Sequence, residues 1–557
     1  MVSNAFDKSK NTLFYGDNLD IMRNYFPSDC IDLVYLDPPF NSKADYNVLF
    51  KEKSGEQSTA QIQAFSDFWQ WNIESKHAYD YLATQSSSEV SDLITSLHGF
   101  LGENDMFAYL VMMGERLLEL HRVLKPTGSL YLHCDTTASH YLRLLLDGIF
   151  GPENYRNEII WKRFNFHADA KRFGRVADRL LFYSKTDDYK FTKQMAPYKK
   201  AYIDAKFTHK DEDGRKFRLS DLNPPGERGP VYEFHGVTRA WRYTKEKMLE
   251  LEKQGRIYSK SKVPQLKRFL DELEARGGGA VHEIWDDIPS VNSMAKERLG
   301  YPTQKPIQLL ERIIKASSDE GDWVLDPFCG CGTAIISAEK LHRHWVGIDI
   351  TFLAINLVKG RLNDSFPTAT YLVEGEPKDL GAARALAQNR YQFQWWALFK
   401  IGALPVGSTE ANPRIGKKGA DEGVDGWLRF VDRAEGQYEK IIVQVKSGHV
   451  GVKDIRELRD VVTRQRAAMG IFLTLEEPTS EMIREVNVTD PYVSSLWKHD
   501  FPKIQILTIE QLLRGERPKT PPTVSLFQEA QQLKKADRTK ETTLSSFHKN
   551  NSSGQVT

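Results

Sequence analysis

Cysteine is scarce: four in a chain of 557 residues cannot build a disulfide framework, which excludes the small stapled secreted folds and fits a reducing compartment. Long apolar runs are missing too. Each is interrupted well before the ~18 residues that a spanning helix needs, so no membrane segment is expected. The segment Met1 to Asn11 lacks the apolar centre of a signal peptide, and a cytoplasmic location is the expectation. A charge bias is also absent. With 76 Lys and Arg against 75 Asp and Glu, the net charge of +1 gives no general attraction for nucleic acid. A DNA-binding chain of this balance has to concentrate positive charge locally. One such place is Lys162 to Arg175, where Lys162, Arg163, Lys171, Arg172 and Arg175 interleave with Phe164, Phe166 and Phe173. The same pattern is equally that of a solvated loop with a few buried aromatics.

What is present is ordinary globular material, 40% apolar and 27% charged, enough for more than one core. At about 150 residues per domain the length implies three or four units. From 11 to 190, apolar strand-like runs alternate with helical periodicity, the signature of an α/β unit. The runs are Ile31 to Leu36, Ser129 to His133 and Arg179 to Tyr183; the helical patterns are Phe107 to Leu124 and Ala138 to Phe150. Ser42 to Ser96 is polar and aromatic and reads as a functional excursion rather than core. From 190 to 300 charge, Pro224-Pro225 and Gly277-Gly278-Gly279 dominate, so irregular structure grafted on the α/β unit is expected. Strand–loop–helix logic resumes from 301 to 365, with a helix Thr303 to Ser318, a strand Trp323 to Leu325, a helix from Thr333 and a strand His344 to Ile350. A separate small α/β pattern occupies 388 to 515, and the Lys/Ser/Thr-rich end from 530 to 557 reads as a disordered tail.

Two loops carry chemistry. In Val324 to Thr333 a buried strand ends in Asp326, Gly330 and Gly332 let the backbone turn tightly against a ligand, and a helix follows. Its N-terminus offers N–H groups to an anion. Asp349 closes the next strand, where a carboxylate can hold two ribose hydroxyls. A dinucleotide fingerprint needs a third glycine where Ile335 stands, so a carboxylate-bearing nucleoside such as S-adenosylmethionine fits better than NAD or FAD. The second loop is Asp37-Pro38-Pro39-Phe40, again at the end of an apolar strand. An exocyclic base amine is a weak nucleophile because its lone pair is delocalised into the ring. A carboxylate and a rigid prolyl carbonyl aimed at its hydrogens favour the pyramidal, reactive form, and the aromatic can stack on a base taken out of the duplex. By itself, Asp-Pro-Pro-Phe is as readily a proline turn.

Together these residues resemble the β-class DNA amino-methyltransferases, in which the catalytic motif precedes the cofactor motif. Asp37 to Phe40 matches the catalytic motif, Asp326 to Gly332 the cofactor loop, Pro302 to Pro306 the segment completing the methionine pocket, Gly16-Asp17 a motif bordering the adenosyl group, and Leu124 to His133 a sheet strand. The resemblance covers about 1 to 365. It implies a circularly permuted Rossmann-like sheet over 11–365, with a target-recognition insert at 190–300. Asp37, Pro38, Pro39 and Phe40 are then the catalytic residues. Asp17, Lys305, Asp326, Phe328, Gly330, Gly332, Thr333 and Asp349 then hold S-adenosylmethionine. It further implies double-stranded DNA as substrate, and self-association in pairs. Asp rather than Ser at the head of the motif implies adenine N6; cytosine N4 and, in another class, RNA amino-methylation are the alternatives. Relatives often carry His before the aspartate matched by Asp178, and here Ala177 stands there. In the insert, Arg239, Arg242, Lys267 and Arg268 are candidates for phosphate or base-edge contacts.

In 388 to 515 a helix, two strands, a helix and a strand follow in that order. Gly419 to Gly426 opens a hairpin whose second strand is Lys440 to Ser447, where Gln444 and Lys446 share a face. This region resembles the Mrr-like branch of the PD-(D/E)xK nucleases, in which Gln replaces an acidic residue. The resemblance implies a small α/β nuclease-like domain with Asp425, Gln444 and Lys446 as its site, Asp425 and Gln444 ligating Mg²⁺ for restriction. A DNA tether that does not cut is the alternative.

Overall fold

The computed structural model describes residues 6–523 except 8, 40–44, 52–56, 67–69, 165–170, 172, 225, 227, 293, 294, 296, 300–303, 406–422 and 433–437. Contacts divide it into one unit of Met1–Lys190 with Asp286–Thr557 and a second of Phe191–Trp285. In the first unit the apolar runs become strands: β1 (Asn11–Tyr15), β2 (Ile31–Leu36), β3 (Leu124–Cys134), β4 (Tyr155–Lys162), β5 (Ala177–Ser184), β6 (Trp323–Asp326), β7 (His344–Asp349) and β8 (Tyr371–Glu374). They lie in the order β4-β5-β3-β2-β6-β7-β1-β8. The six from β3 to β8 run parallel, and β5 is antiparallel to both of its neighbours. All six residues of β2 are buried, as a central strand covered on both faces requires. Its Asp32 is tolerated there because Lys125 Nζ and the Trp323 N–H donate to its Oδ2 at 2.7 and 3.0 Å.

The chain leaves β2 toward β3 on one side and leaves the adjacent β6 toward β7 on the other. The C-terminal ends of β2 and β6 are therefore the switch point of the sheet, where open α/β sheets place ligands. Asp326 ends β6, and Asp37 follows β2 directly.

Three expectations are corrected here. The stretch from 73 to 101 is not an excursion but two helices, Ile73–Gln85 and Ser88–Leu101. Ala78, Leu82, Val90, Ile94 and Leu97 bury their faces in the main core. Capping by Asn72 and Ser87 starts them, a local signal that polar composition hid. Nor is the unit Phe191–Trp285 irregular. Its short strands Ile257–Tyr258, Gln265–Phe269, Lys216–Ser220 and His209–Lys210 form a four-stranded antiparallel sheet in that order. A small core of Leu222, Phe234, Trp241, Met248, Leu251, Ile257 and Leu266 holds the unit. Strands this short carry too few alternations to be read as periodic. The expected helix Thr303–Ser318 starts at Ile307, with Pro306 as N-cap, since proline restricts the residue before it to extended backbone.

In the C-terminal region, helix Arg390–Lys400 precedes β9 (Gly426–Val431), β10 (Tyr438–Lys446), β11 (Met469–Thr474) and β12 (Ile504–Thr508). β9 and β10 pair antiparallel; β10, β11 and β12 are parallel. Helix Ser480–Asn487 and β12 extend the expected order. The segments 419–422 and 530–557 lie outside the described residues. The core of this region includes Phe352, from the helix that follows β7. Glu376 accepts from Lys359 and Lys400 at 2.9 and 3.4 Å, fastening helix Phe352–Ser365 to helix Arg390–Lys400.

Asp432, just after β9, is buried and accepts from the hydroxyls of Tyr492, Ser494 and Ser495 and from the N–H groups of Ser495 and Leu496. Burial alone would raise its pKa, but the Ser494 and Tyr492 hydroxyls and the two N–H groups outweigh it and hold it at about 2. A depressed carboxyl stabilises the fold above the ordinary value of 3.8, and that stabilisation disappears as pH falls through about 2. Asp432→Ala strands several buried donors and is expected to cost at least about 2 kcal/mol. Urea unfolding of the two proteins at pH 7 measures it, and the difference should shrink toward pH 2.

Candidate active site

The cofactor-type loop is built from β6 outward. Asp326 Oδ1 accepts the Phe328 N–H at 3.1 Å, and Phe328 is half-buried against the main core. Gly332, the N-cap of helix Thr333–Lys340, has φ +75°, and a Cβ there would lie 2.6 Å from Val358. Only glycine permits both the left-handed turn and this approach. Asp349 grips the same loop from β7: Oδ2 accepts the Gly330 N–H at 2.9 Å, and Oδ1 accepts the Thr351 N–H and hydroxyl, each at 2.8 Å. From beneath, the buried Arg361 donates to the Cys331 carbonyl at 2.6 Å and to the Thr333 hydroxyl at 3.4 Å. Cys329 and Cys331 are buried small residues within the loop, and burial raises both thiols.

The catalytic-type loop meets this one across the switch point. Asp37 is half-buried and Pro38 buried; Phe40 lies outside the described residues. Asp37 Oδ2 takes a hydrogen bond from Lys305 Nζ at 2.5 Å, whereas Oδ1 is buried with no hydrogen-bond partner. Lys305, expected at the cofactor, is thus brought to the Asp37 carboxylate, though its charge also acts on Asp326 and Cys331. Asp17 caps helix Asn18–Tyr25 by accepting the Leu19 N–H at 2.8 Å and pairs with Arg116 at 2.6 Å. The preceding Gly16 N–H donates to the Asp349 carbonyl at 3.0 Å, which sets this turn beside the end of β7.

Sequence reading missed several supports. Asn18 Nδ2 donates to the Pro327 carbonyl at 2.7 Å, while Arg116 Nε donates to Asn18 Oδ1 at 2.7 Å. A buried relay backs β2: Tyr35 Oη lies 3.0 Å from His133 Nδ1, and His133 Nε2 lies 3.1 Å from Asp178 Oδ2. Arg163 Nε sits 3.1 Å from Asp178 Oδ1. Burial pushes the Asp178 carboxyl up, but His133, Lys305 and Arg163 together hold it below its usual value. An ionised Asp178 accepts from Nε2–H, which leaves Nδ1 to accept the Tyr35 hydroxyl. Ala177, where relatives often have His, is the first residue of β5, and His133 on β3 is the imidazole that contacts Asp178. A buried Arg in helix Phe352–Ser365 and a His ending an apolar strand were the available signals.

The electrostatics have one sign. Burial raises the carboxyls of Asp326 and Asp349, and Asp37 and Asp349 raise Asp326 further. Three carboxyls, Asp37, Asp326 and Asp349, converge here and Lys305 acts on two of them, so the site is suited to a cationic ligand. S-adenosylmethionine, with its sulfonium and ammonium, fits the donor set. Asp349 would face the ribose, the loop at Gly330–Gly332 would approach the amino-acid part, and Asp326 would offset its positive charge.

In the C-terminal region, Asp425 Oδ2 accepts the Val445 N–H at 2.7 Å. The buried Gln444 donates Nε2–H to the Gly423 carbonyl, and its Oε1 has no partner. Lys446 Nζ lies 3.7 Å from Asp454, a residue the sequence did not single out. Among the described residues no group of three His, Cys, Asp or Glu is arranged to hold a metal. One carboxylate already committed to a backbone N–H and one neutral amide oxygen do not make the expected Mg²⁺ site. The basic segment at 162–175 falls partly outside the described residues; within them, Phe173 is fully exposed and Arg163 is held by Asp178. Among the described residues no helix is long and apolar enough to cross a membrane.

A family model described as DNA methylase, N6_N4_Mtase, matches residues 31–359. A second, described as NACHT-associated inactive Restriction Endonuclease 1, matches residues 414–514. Type II methyltransferase M.EcaI of Enterobacter cloacae is 27% identical over 366 residues, which is 63% of this chain and 69% of that protein. The Type III restriction-modification enzyme StyLTI Mod subunit of Salmonella typhimurium is 26% identical over 61% of this chain and 51% of that protein. DNA adenine methyltransferase YhdJ of Escherichia coli is 24% identical over 64% of this chain and 84% of that one.

Proposed function

The chain belongs to the N6/N4 DNA methylase family, and from that premise we propose that it is a permuted, β-class DNA methyltransferase. It transfers a methyl group from S-adenosylmethionine to adenine N6 at a specific site in double-stranded DNA, as the modification arm of a restriction-modification system. The observation that carries the reading is Asp37: one oxygen is held by Lys305, the other is buried without a partner, and the glycine loop stands beside it. The permuted order is supported by β2 preceding β6 in the chain while the two pair in the sheet. The methyltransferase comprises 11–365, and Phe191–Trp285 within the 190–300 insert recognises the target.

Bound S-adenosylmethionine supplies an electrophilic methyl group on a sulfonium. Asp37 Oδ1 accepts one hydrogen of the exocyclic amine and returns lone-pair density to the nitrogen. Pro38 and Pro39, with fixed φ and no N–H, present a carbonyl to the second hydrogen. Phe40 stacks on the extruded base. Lys305 holds Oδ2 of Asp37 and leaves Oδ1 for the amine, and Tyr35, His133 and Asp178 brace the strand behind it. Most of the acceleration comes from positioning. Asp at the head of the motif, and the adenine activity in the name of one relative, support adenine.

DNA from a methylation-free host expressing the chain, digested to nucleosides, is expected to contain N6-methyladenine. N4-methylcytosine alone would replace adenine with the cytosine reading, and methylated RNA with unmethylated DNA would sink both.

For 388–515 the reading is an Mrr-like fold that holds DNA without cutting it, supported by the commitment of Asp425 to a backbone N–H and the neutral Gln444. Incubation of the protein with Mg²⁺ and either methylated or unmethylated plasmid is expected to leave both intact. Cleavage that disappears in Lys446→Ala would restore the nuclease reading.

A further inference from the structure

The sheet of the unit Phe191–Trp285 contains an arrangement that stability alone does not favour. Residues directly opposite across antiparallel strands project from the same face. Arg218 stands opposite Arg268, and Lys216 stands opposite Lys210. Positions 216 and 218 lie two apart on one strand, so both pairs share a face with a step of about 7 Å between them. Four cations therefore occupy one face, like charge against like in both rows. Such pairs are destabilising.

The unit has carboxylates close by and does not use them here. Asp271 and Glu272 are taken by Arg215, and Glu272 also by Arg256. Among the described residues, none of Lys210, Lys216, Arg218 and Arg268 has a carboxylate partner. Arg218 Nη1 donates to the Tyr202 hydroxyl at 3.3 Å, and its Nε is buried without a partner. Lys210 and Lys216 are exposed, and the two arginines half-buried. Of the other cations suggested by the sequence, Arg242 is exposed and two are otherwise engaged. Lys267 stands opposite Leu219 on the other face, its Nζ 5.3 Å from the Phe217 ring. Arg239 is held by Asn223 and lies over Trp241.

We propose that the face bearing Lys210, Lys216, Arg218 and Arg268 is a clamp for the phosphodiester backbone of DNA, which fixes register without reading bases. An uncompensated row of cations with a guanidinium pair at its centre matches successive phosphates, and counterion release rewards it there. The inference rests on the reading of DNA as substrate and assigns the backbone contacts within it.

The test uses the full-length protein and a duplex of arbitrary sequence, with affinity followed by fluorescence anisotropy over a salt series. R218Q/R268Q is expected to weaken binding alike for all sequences and to reduce the slope of log K against log salt by about 2. Its thermal midpoint should be no lower than the parent's, because a like-charge pair has been removed, and its affinity for S-adenosylmethionine should be unchanged. K267Q, on the opposite face, should keep the parental slope. A double variant that retains the parental slope, or loses thermal stability, overturns the clamp while leaving the DNA reading intact. A parent protein without salt-dependent duplex binding overturns the DNA reading itself.

Discussion

Asp37→Asn is expected to lower kcat for methyl transfer by about a thousandfold, the scale of a lost proton-accepting group, with little change in cofactor affinity. Asparagine keeps the shape of the side chain but supplies one acceptor where the site uses two. In the parent, Oδ2 is engaged by Lys305 at 2.5 Å and Oδ1 is the buried oxygen left for the amine. In the variant, the amide oxygen turns to the Lys305 ammonium, and the NH₂ then meets the target amine donor to donor. Asp37→Ala is the harsher test, since it also breaks the buried contact with Lys305; Asp37→Asn separates chemistry from folding. Single-turnover methylation, cofactor titration calorimetry and thermal midpoint on the same preparation measure the three quantities. Retention of kcat within tenfold of the parent would remove Asp37 from the mechanism.

Lys305→Met carries the next largest effect and distinguishes two roles. If Lys305 served the carboxylate of the cofactor, its loss would weaken cofactor binding. The geometry favours the other outcome. Its ammonium sits on Asp37 and its charge reaches Asp326. Removing it breaks the Lys305–Asp37 pair, a loss on the order of 3–5 kcal/mol for a broken buried pair. Part of that falls on the orientation of Oδ1, so kcat should fall by about a hundredfold or more. A cationic cofactor then enters a pocket one positive charge poorer and should bind at least as tightly as before. Lys305→Arg should recover part of the rate. Calorimetry showing a tenfold weaker cofactor with kcat intact would move Lys305 back to the cofactor site.

The parts of this site differ in how far sequence could carry them. Strand β2 and the glycine loop were legible because their signals are local: a continuous apolar run ending in Asp-Pro-Pro, and glycines between a strand and a helix. The two helices between 73 and 101 were not, because polar and aromatic residues on their outer faces masked a narrow apolar stripe. The sheet of the unit Phe191–Trp285 escaped for a different reason. Its strands run from two to five residues, below the length at which alternation can be recognised. Lys210, Lys216 and Arg218 gave no sign of a shared purpose until the strand register set Arg218 against Arg268 and Lys216 against Lys210.

By itself, the sequence determined the chemistry on offer: a carboxylate before two prolines, a glycine turn before a helix, an acidic residue closing the next strand, and no cysteine placed for covalent attack. These depend on residues close in the chain, whose backbone preferences are set by sterics and local hydrogen bonding. Only the tertiary structure decided what each carboxylate would face. The pairing of β2 with β6 brings Asp37 to Asp326, and the start of helix Ile307–Ser317 delivers Lys305 across 268 positions of chain to Asp37. Electrostatic energy falls off with distance through space and is indifferent to distance along the chain, so the partner and aim of Asp37 were settled by packing alone.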